Sequence, residues 1–238
     1  MTLKIGVDEA GRGCVLGPLC IGVAASSDSW MEDIFIEAGV KDSKKLSRNK
    51  IDFLKDFIAT SIYTNIIYIS PKEIDVGNLN EITMTSSISL FKNCIKDVRE
   101  KEVSLFLDCP TSNTAGYSKK FSERLNFIDI GAIEKLNVIA ENRADEKFNI
   151  VSAASVIAKH FREKELDAIR MKYFSEYGDI GSGYPSDRRT VDFLRRYYSI
   201  NNTFPDESRL SWGTISQVQN WYEMQKNKGI KTNVKSKK

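Results

Sequence analysis

The chain lacks the ingredients of several common chemistries. It has a single histidine, His160, and four cysteines, Cys14, Cys20, Cys94 and Cys109, none in C-x-x-C spacing. This suggests neither a zinc site nor a disulfide framework, and the apolar neighbours of the cysteines mark them as reduced, mostly buried thiols. No stretch has the apolar length that spans a bilayer, and the N-terminus enters a strand pattern within a few residues instead of a charged leader with a cleavage site. A soluble, cytoplasmic protein is therefore expected. Charge of one sign is missing too. With 35 basic and 32 acidic residues the net charge is +3, too mild by itself to indicate a polyanionic partner. There is no internal repeat and no low-complexity linker.

What is present is a core and an ordered run of elements. Hydrophobic residues make up 41% of the 238, ample for one core at this length. Periodicity predicts strands at residues 3–7, 19–25, 65–69 and 103–107, with a further short one at 127–130. Helical spacing covers 48–62 and 80–98 in the first half, then 151–173, 187–198 and 212–224. Strands early and helices late predict an α/β fold, a mixed sheet flanked by helices and followed by a helical C-terminal portion.

The carboxylates are the candidate chemistry. Asp8 and Glu9 stand at the end of the first strand, just before Gly11-Arg12-Gly13. Side chains alternate across a strand, so the pair meets at one point only if the backbone bends there or one residue lies past the strand end. The glycines that follow permit such a bend. The bland alternative is a solvated strand end before a turn. Asp108 closes a strand apolar at nearly every position, which places that strand centrally and points its terminal carboxylate into a cleft. Asp145 precedes Val151-Ser152-Ala153-Ala154-Ser155, whose small residues permit close packing on a sheet. Four carboxylates without histidine or cysteine make an all-oxygen site suited to magnesium or manganese rather than zinc. Two divalent ions would relieve their repulsion, one activating water and the other stabilising the leaving oxygen of an in-line phosphodiester displacement.

Seven blocks, in order, then carry a resemblance. They are Asp8-Glu9-Ala10-Gly11-Arg12-Gly13 with Gly17-Pro18, Asp42-Ser43-Lys44-Lys45-Leu46, Leu107-Asp108, Ala144-Asp145, Ser152-Ala153-Ala154-Ser155, Gly183-Tyr184-Pro185-Ser186-Asp187 and Ser211-Trp212. Over roughly residues 3 to 215 the chain resembles type 2 ribonuclease H (ribonuclease HII), in its archaeal and eukaryotic branch. The resemblance implies a ribonuclease H-like fold and endonucleolytic cleavage of RNA in RNA-DNA hybrids, including a lone ribonucleotide in duplex DNA, to leave a 3′-hydroxyl and a 5′-phosphate. It implies Asp8, Glu9, Asp108 and Asp145 as metal ligands, with Asp8 the bridge between two ions. It also implies that Gly11, Arg12 and Gly13 approach the ribose 2′-hydroxyl and that Tyr184 packs on the sugar 3′ of the scissile junction. The expected division is a catalytic domain over 1–175, a helical portion over 176–225 and a basic tail over 226–238, the tail read as a solvated terminus before a phosphate contact.

Other features carry less. Lys44 lies in a loop that the resemblance places near a substrate phosphate, although Ser47 is also a good cap for the next helix. His160 follows Lys159 within a helix and reads as a surface or packing residue. The spacing of Ile215, Val218, Trp221 and Tyr222 partly resembles a sliding-clamp-binding box without its leading glutamine, and an amphipathic helix docked on the core explains it better. Asn142-Arg143 stands where a His-Lys pair is common in the family, Asn149 replaces a frequent proline, and Arg188 replaces the proline that usually follows the Tyr184 block. Archaeal members work alone, whereas eukaryotic ones act in the nucleus with two accessory subunits. The competing readings are ribonuclease HIII, expected to carry an N-terminal extension and another residue at Arg12, and a non-catalytic hybrid-binding subunit, disfavoured because all four carboxylates are kept.

Overall fold

The protein is described from a computed structural model that covers residues 1–28, 31–39, 47–96, 98–127 and 129–227. Its elements run β1 (Thr2–Ala10), β2 (Leu19–Ser26), α1 (Met31–Ala38), α2 (Arg48–Ser61), β3 (Tyr63–Ile69), α3 (Pro71–Val76), α4 (Leu79–Ile95), β4 (Glu102–Asp108), α5 (Thr114–Leu125), β5 (Lys135–Glu141), α6 (Ala144–Lys147), α7 (Asn149–Tyr177), α8 (Arg188–Asn201) and α9 (Gly213–Asn227). Chain packing divides them into two units. The first holds residues Met1–Ala10, Cys20–Tyr68 and Asn78–Phe161; the second holds Gly11–Leu19, Ile69–Gly77 and the residues from Arg162 on.

The first unit is built on a five-stranded mixed sheet in the order β3-β2-β1-β4-β5. β1 runs antiparallel to β2 and parallel to β4, and β4 runs parallel to β5. Two glycines let α7 lie unusually close to it. A Cβ on Gly6 would sit 2.4 Å from the Ile150 carbonyl oxygen, and one on Gly22 would sit 2.7 Å from that of Ala154. The facing helix surface is correspondingly small: Ser152, Ala153, Ala154, Ser155 and Ala158 are fully buried. Ala153 and Ala154 join Leu54 and Ile58 of α2 and Phe35 of α1 in one core cluster. Each large aliphatic side chain buried there contributes about 1.5–3 kcal/mol.

In the second unit, Val15, Leu16, Leu166, Ile169, Phe193, Leu194, Ile215 and Val218 form a separate core. Asp187 caps α8 by accepting from the Arg189 amide at 3.0 Å, and the Asn202 C-cap takes the left-handed conformation that ends the helix.

The mixed sheet, its flanking helices and the helical C-terminal portion agree with expectation. One strand does not. Residues 127–130 form no strand among the described residues: Phe127 is 91% exposed, and the segment leads into a turn in which Asp129 accepts from the Gly131 amide. The fifth strand is β5 instead, an edge strand whose half-polar sequence KLNVIAE shows neither a continuous apolar run nor clean alternation. β1 also continues three residues past Val7. Four helices, α1, α3, α5 and the single turn α6, were not expected, although α3 opens with a capping box, Ser70 with Glu73, and Pro71 at its first position.

Candidate active site

Within the first unit the strand register brings carboxylates together. The parallel ladder with β4 ends at Val7 opposite Leu107, while β1 goes on along β2 alone, with Asp8 opposite Gly22 and Glu9 opposite Ile21. Asp8 thus stands on the face where Gly6 admits α7, and it takes a hydrogen bond from Ser155 of that helix. It also accepts from the Glu9 amide at 2.7 Å. Asp8 is 6% exposed. Burial, then the charge of Asp108, and more weakly that of Asp145, push its carboxyl up from 3.8 to about 7.

Asp108 and Asp145 are tied to each other through the backbone. Oδ1 of Asp108, the last residue of β4, accepts from the Ala144 amide at 2.8 Å. Asp145, the next residue, is buried in the single turn of α6. That turn is aimed by Arg143, whose φ of 57° is left-handed, and by Asn142, whose amide donates to the carbonyls of Cys109 and Thr111 at 2.7 Å each. Three of the four expected carboxylates are therefore electrostatically joined at Asp8. Glu9 follows on the same strand, which runs unbroken to Ala10, and its amide donates to Asp8. Among the described residues no three His, Cys, Asp or Glu side chains are gathered as a ready-made metal-ligand group. The donors nevertheless suit a hard divalent cation: all are carboxylate oxygens, and Asp8 is buried among like charges that a cation would relieve.

The second unit holds Gly11, Arg12, Gly13 and Tyr184 together. Gly11 has φ +89°, and a Cβ there would meet the Pro18 carbonyl at 2.9 Å. Gly13 differs: it is exposed, and a Cβ would find only the Tyr184 ring, at 3.8 Å. Tyr184 follows Gly183, which has φ +81° and whose carbonyl accepts from the amides of Val15 and Leu16 at 2.9 and 3.2 Å. Its ring lies under the Arg162 guanidinium, 5.2 Å away, and the residue is 36% exposed. Burial, then Cys14, pushes its hydroxyl up to about 12, so it is a neutral surface at physiological pH. Arg162 is 6% exposed and donates to the Cys14 sulfur at 3.1 Å and to the Ser182 carbonyl.

Of the remaining expectations, Lys44 and its loop lie outside the described residues, as does the tail from residue 228. His160 pairs with Asp52 of α2 at 2.7 Å, a packing role. Ile215 and Val218 are buried in the core of the second unit. All four cysteines are buried, and none of them is in a disulfide. Sequence reasoning missed Asn142, Arg162 and Arg209 as site-building residues. Nothing in their spacing signals it, because each acts on backbone carbonyls brought near by loops.

The family model described as Ribonuclease HII matches residues 5–215. The chain is 36% identical over 220 residues to a ribonuclease HII of Methanocaldococcus jannaschii, covering 90% of this chain and 94% of that one. Among solved structures it resembles the ribonuclease H2 from Pyrococcus horikoshii OT3, with a TM-score of 0.77, 32% identity and coverage of 93% and 99%. It likewise resembles ribonuclease HII in the PCNA:RNase HII complex from Archaeoglobus fulgidus, with a TM-score of 0.76, 34% identity and coverage of 91% and 96%. The chain belongs to the ribonuclease HII family, a family of endoribonucleases.

Proposed function

With family membership as the premise, we propose that this endoribonuclease cleaves the RNA strand of RNA-DNA hybrids and cuts on the 5′ side of single ribonucleotides in duplex DNA. Its products are a 3′-hydroxyl and a 5′-phosphate, and its cellular tasks are ribonucleotide and primer removal. Asp8, Glu9, Asp108 and Asp145 would hold one or two magnesium or manganese ions. When bound, these supply an activated water and neutralise charge on the leaving oxygen. The observation that carries the reading is Asp8: a carboxylate buried beside two others, with its pKa raised to about 7, is unfavourable unless the site works with a cation.

The chain's own groups prepare that site. Ser155 and the Glu9 amide fix the Asp8 carboxylate, and the Ala144 amide fixes Asp108 one residue before Asp145. Recognition falls to Gly11-Arg12-Gly13 and Tyr184. Gly13 supports this, because neither a left-handed φ nor internal packing demands glycine there, so the missing side chain leaves room for a ligand beside Tyr184. Backbone amides there approach the ribose 2′-hydroxyl, the group that separates RNA from DNA, while Tyr184 packs on the adjacent sugar. Lys44 would contact a phosphate. A sliding clamp, the partner named for the Archaeoglobus relative, would have to bind without Ile215 and Val218, which already sit in the core.

Purified protein, given magnesium and then manganese, is expected to cut a DNA duplex containing one ribonucleotide on its 5′ side and to leave the all-DNA duplex whole. Intact ribonucleotide-bearing duplexes and hybrids in both metals would overturn the proposal, and binding without cutting would mark a hybrid-binding subunit.

A further inference from the structure

Arg209 is the largest fully buried side chain described, with no exposed surface. Its place is fixed from the main chain. Leu16 and Ser208 form an antiparallel bridge, the Gly17 amide donates to the Glu207 carbonyl at 2.8 Å, and the Arg209 amide donates to the Val15 carbonyl at 2.9 Å. From there the guanidinium turns inward under Trp212, 5.1 Å from the ring. Its three nitrogens donate to three carbonyls: Nε to Gly17 at 3.1 Å, Nη1 to Arg12 at 2.7 Å and Nη2 to Gly11 at 2.7 Å. Burial lowers its pKa only to about 10, so the cation persists at neutral pH. A buried cation directed onto neutral carbonyls rather than a carboxylate is costly for stability alone.

Two of those carbonyls belong to the peptide units that join Gly11 to Arg12 and Arg12 to Gly13. With no cis peptide in the described chain, each carbonyl held by Arg209 turns the N–H of the same unit, that of Arg12 or of Gly13, to the opposite side. A cation on the oxygen also draws electron density from the N–H, making it a stronger donor. We infer that Arg209 is a positioning residue for ribose recognition: it locks and polarises the Gly11-Arg12 and Arg12-Gly13 peptide groups so that their N–H groups face the sugar 2′-hydroxyl. This rests on the proposal that the Gly11–Gly13 segment reads the ribose.

The test measures steady-state cleavage of a duplex with one ribonucleotide, together with the inhibition constant of the all-DNA duplex of the same sequence, for the parent, Arg209→Lys and Arg209→Met. Thermal melts report folding. Arg209→Met is expected to lower kcat/KM about 10- to 100-fold, the range for losing a group that orients a site from behind. Inhibition by all-DNA should stay within about twofold, because phosphate contacts carry it. Arg209→Lys, which keeps the charge but not the three-pronged fork, should recover part of the loss. A purely structural role would weaken both duplexes together and is the result that overturns the inference, as is a folded Arg209→Met with unchanged kcat/KM. Should Arg209→Met fail to fold, Arg209→Lys decides: a severalfold loss confined to the ribonucleotide duplex upholds the inference and none refutes it. If the parent itself binds both duplexes equally, the ribose-reading proposal fails first, and independently of Arg209.

Discussion

The two units bury charge of opposite sign, and they use it differently. In the first, Asp108 and Asp145 act on Asp8, so negative charge is gathered in side chains, where the proposed function sets a cation and a phosphodiester. In the second, Arg209 is buried against three carbonyls, and Arg162 against the Ser182 carbonyl, the Cys14 thiol and the Glu163 carboxylate, so positive charge is directed largely onto backbone that it holds in shape. Under the proposed function the first arrangement serves chemistry and the second serves recognition. Removing a charge from the first should therefore abolish turnover at little structural cost, whereas removing one from the second should loosen a loop.

Asp108→Asn is the most damaging change expected for activity. Its Oδ1 can still accept from the Ala144 amide, so the fold survives while cleavage falls about 10³-fold or more, as single-turnover kinetics beside circular-dichroism melts would show. Equal loss of folding would make Asp108 structural and erase the contrast. Gly6→Val is the largest expected loss of stability. Its Cβ would collide with a backbone carbonyl at 2.4 Å, which should cost about 3 kcal/mol or more in urea unfolding.

Asp8→Asn sharpens the comparison, because it should stabilise the metal-free protein. The folded value of about 7 lies above the unfolded 3.8, so the native state holds a proton that the unfolded chain has released. Stability in EDTA is then greatest below about pH 4 and declines as pH rises through about 7. By pH 8 the variant should exceed the parent by about 4 kcal/mol, a gap that shrinks to well under 1 kcal/mol at pH 4. The sign reverses for Asp187 in the second unit. Arg189, then the amides of Ser182 and Arg189, hold its carboxyl well below the usual 3.8. Its stabilisation is present above that value and fades as pH falls below it. Asp187→Ala should cost about 1 kcal/mol at pH 7, with the gap narrowing in acid, as urea midpoints across pH would show.

What could be read from the sequence follows the same division. Asp8 and Asp108 were legible because a carboxylate after an apolar strand is conspicuous whatever the fold, and Asp145 because it stands before the Ser-Ala run from Ser152, which announced a close helix-sheet contact. Glu9 was harder. Whether it joins Asp8 depends on where the strand ends, and pairing with β2 carries β1 on to Ala10. β5 escaped because an edge strand need bury only part of its surface, so Lys135–Glu141 carries no strong period. The recognition loop was legible as a motif but not as a mechanism. Nothing about Arg209 in sequence separates it from a solvated arginine until the Leu16–Ser208 bridge places it beneath Gly11 and Arg12.

The most direct test of this separation takes Asp108→Asn and Gly13→Ala through one experiment: binding and single-turnover cleavage of a duplex with one ribonucleotide, against binding of its all-DNA counterpart. The Gly13 Cβ would meet only the Tyr184 ring at an ordinary 3.8 Å, so that variant should fold. The account predicts that Asp108→Asn keeps the preference for the ribonucleotide and loses cleavage, while Gly13→Ala loses the preference about tenfold and keeps all-DNA affinity. Loss of preference in Asp108→Asn, or an undiminished preference in Gly13→Ala, would contradict it.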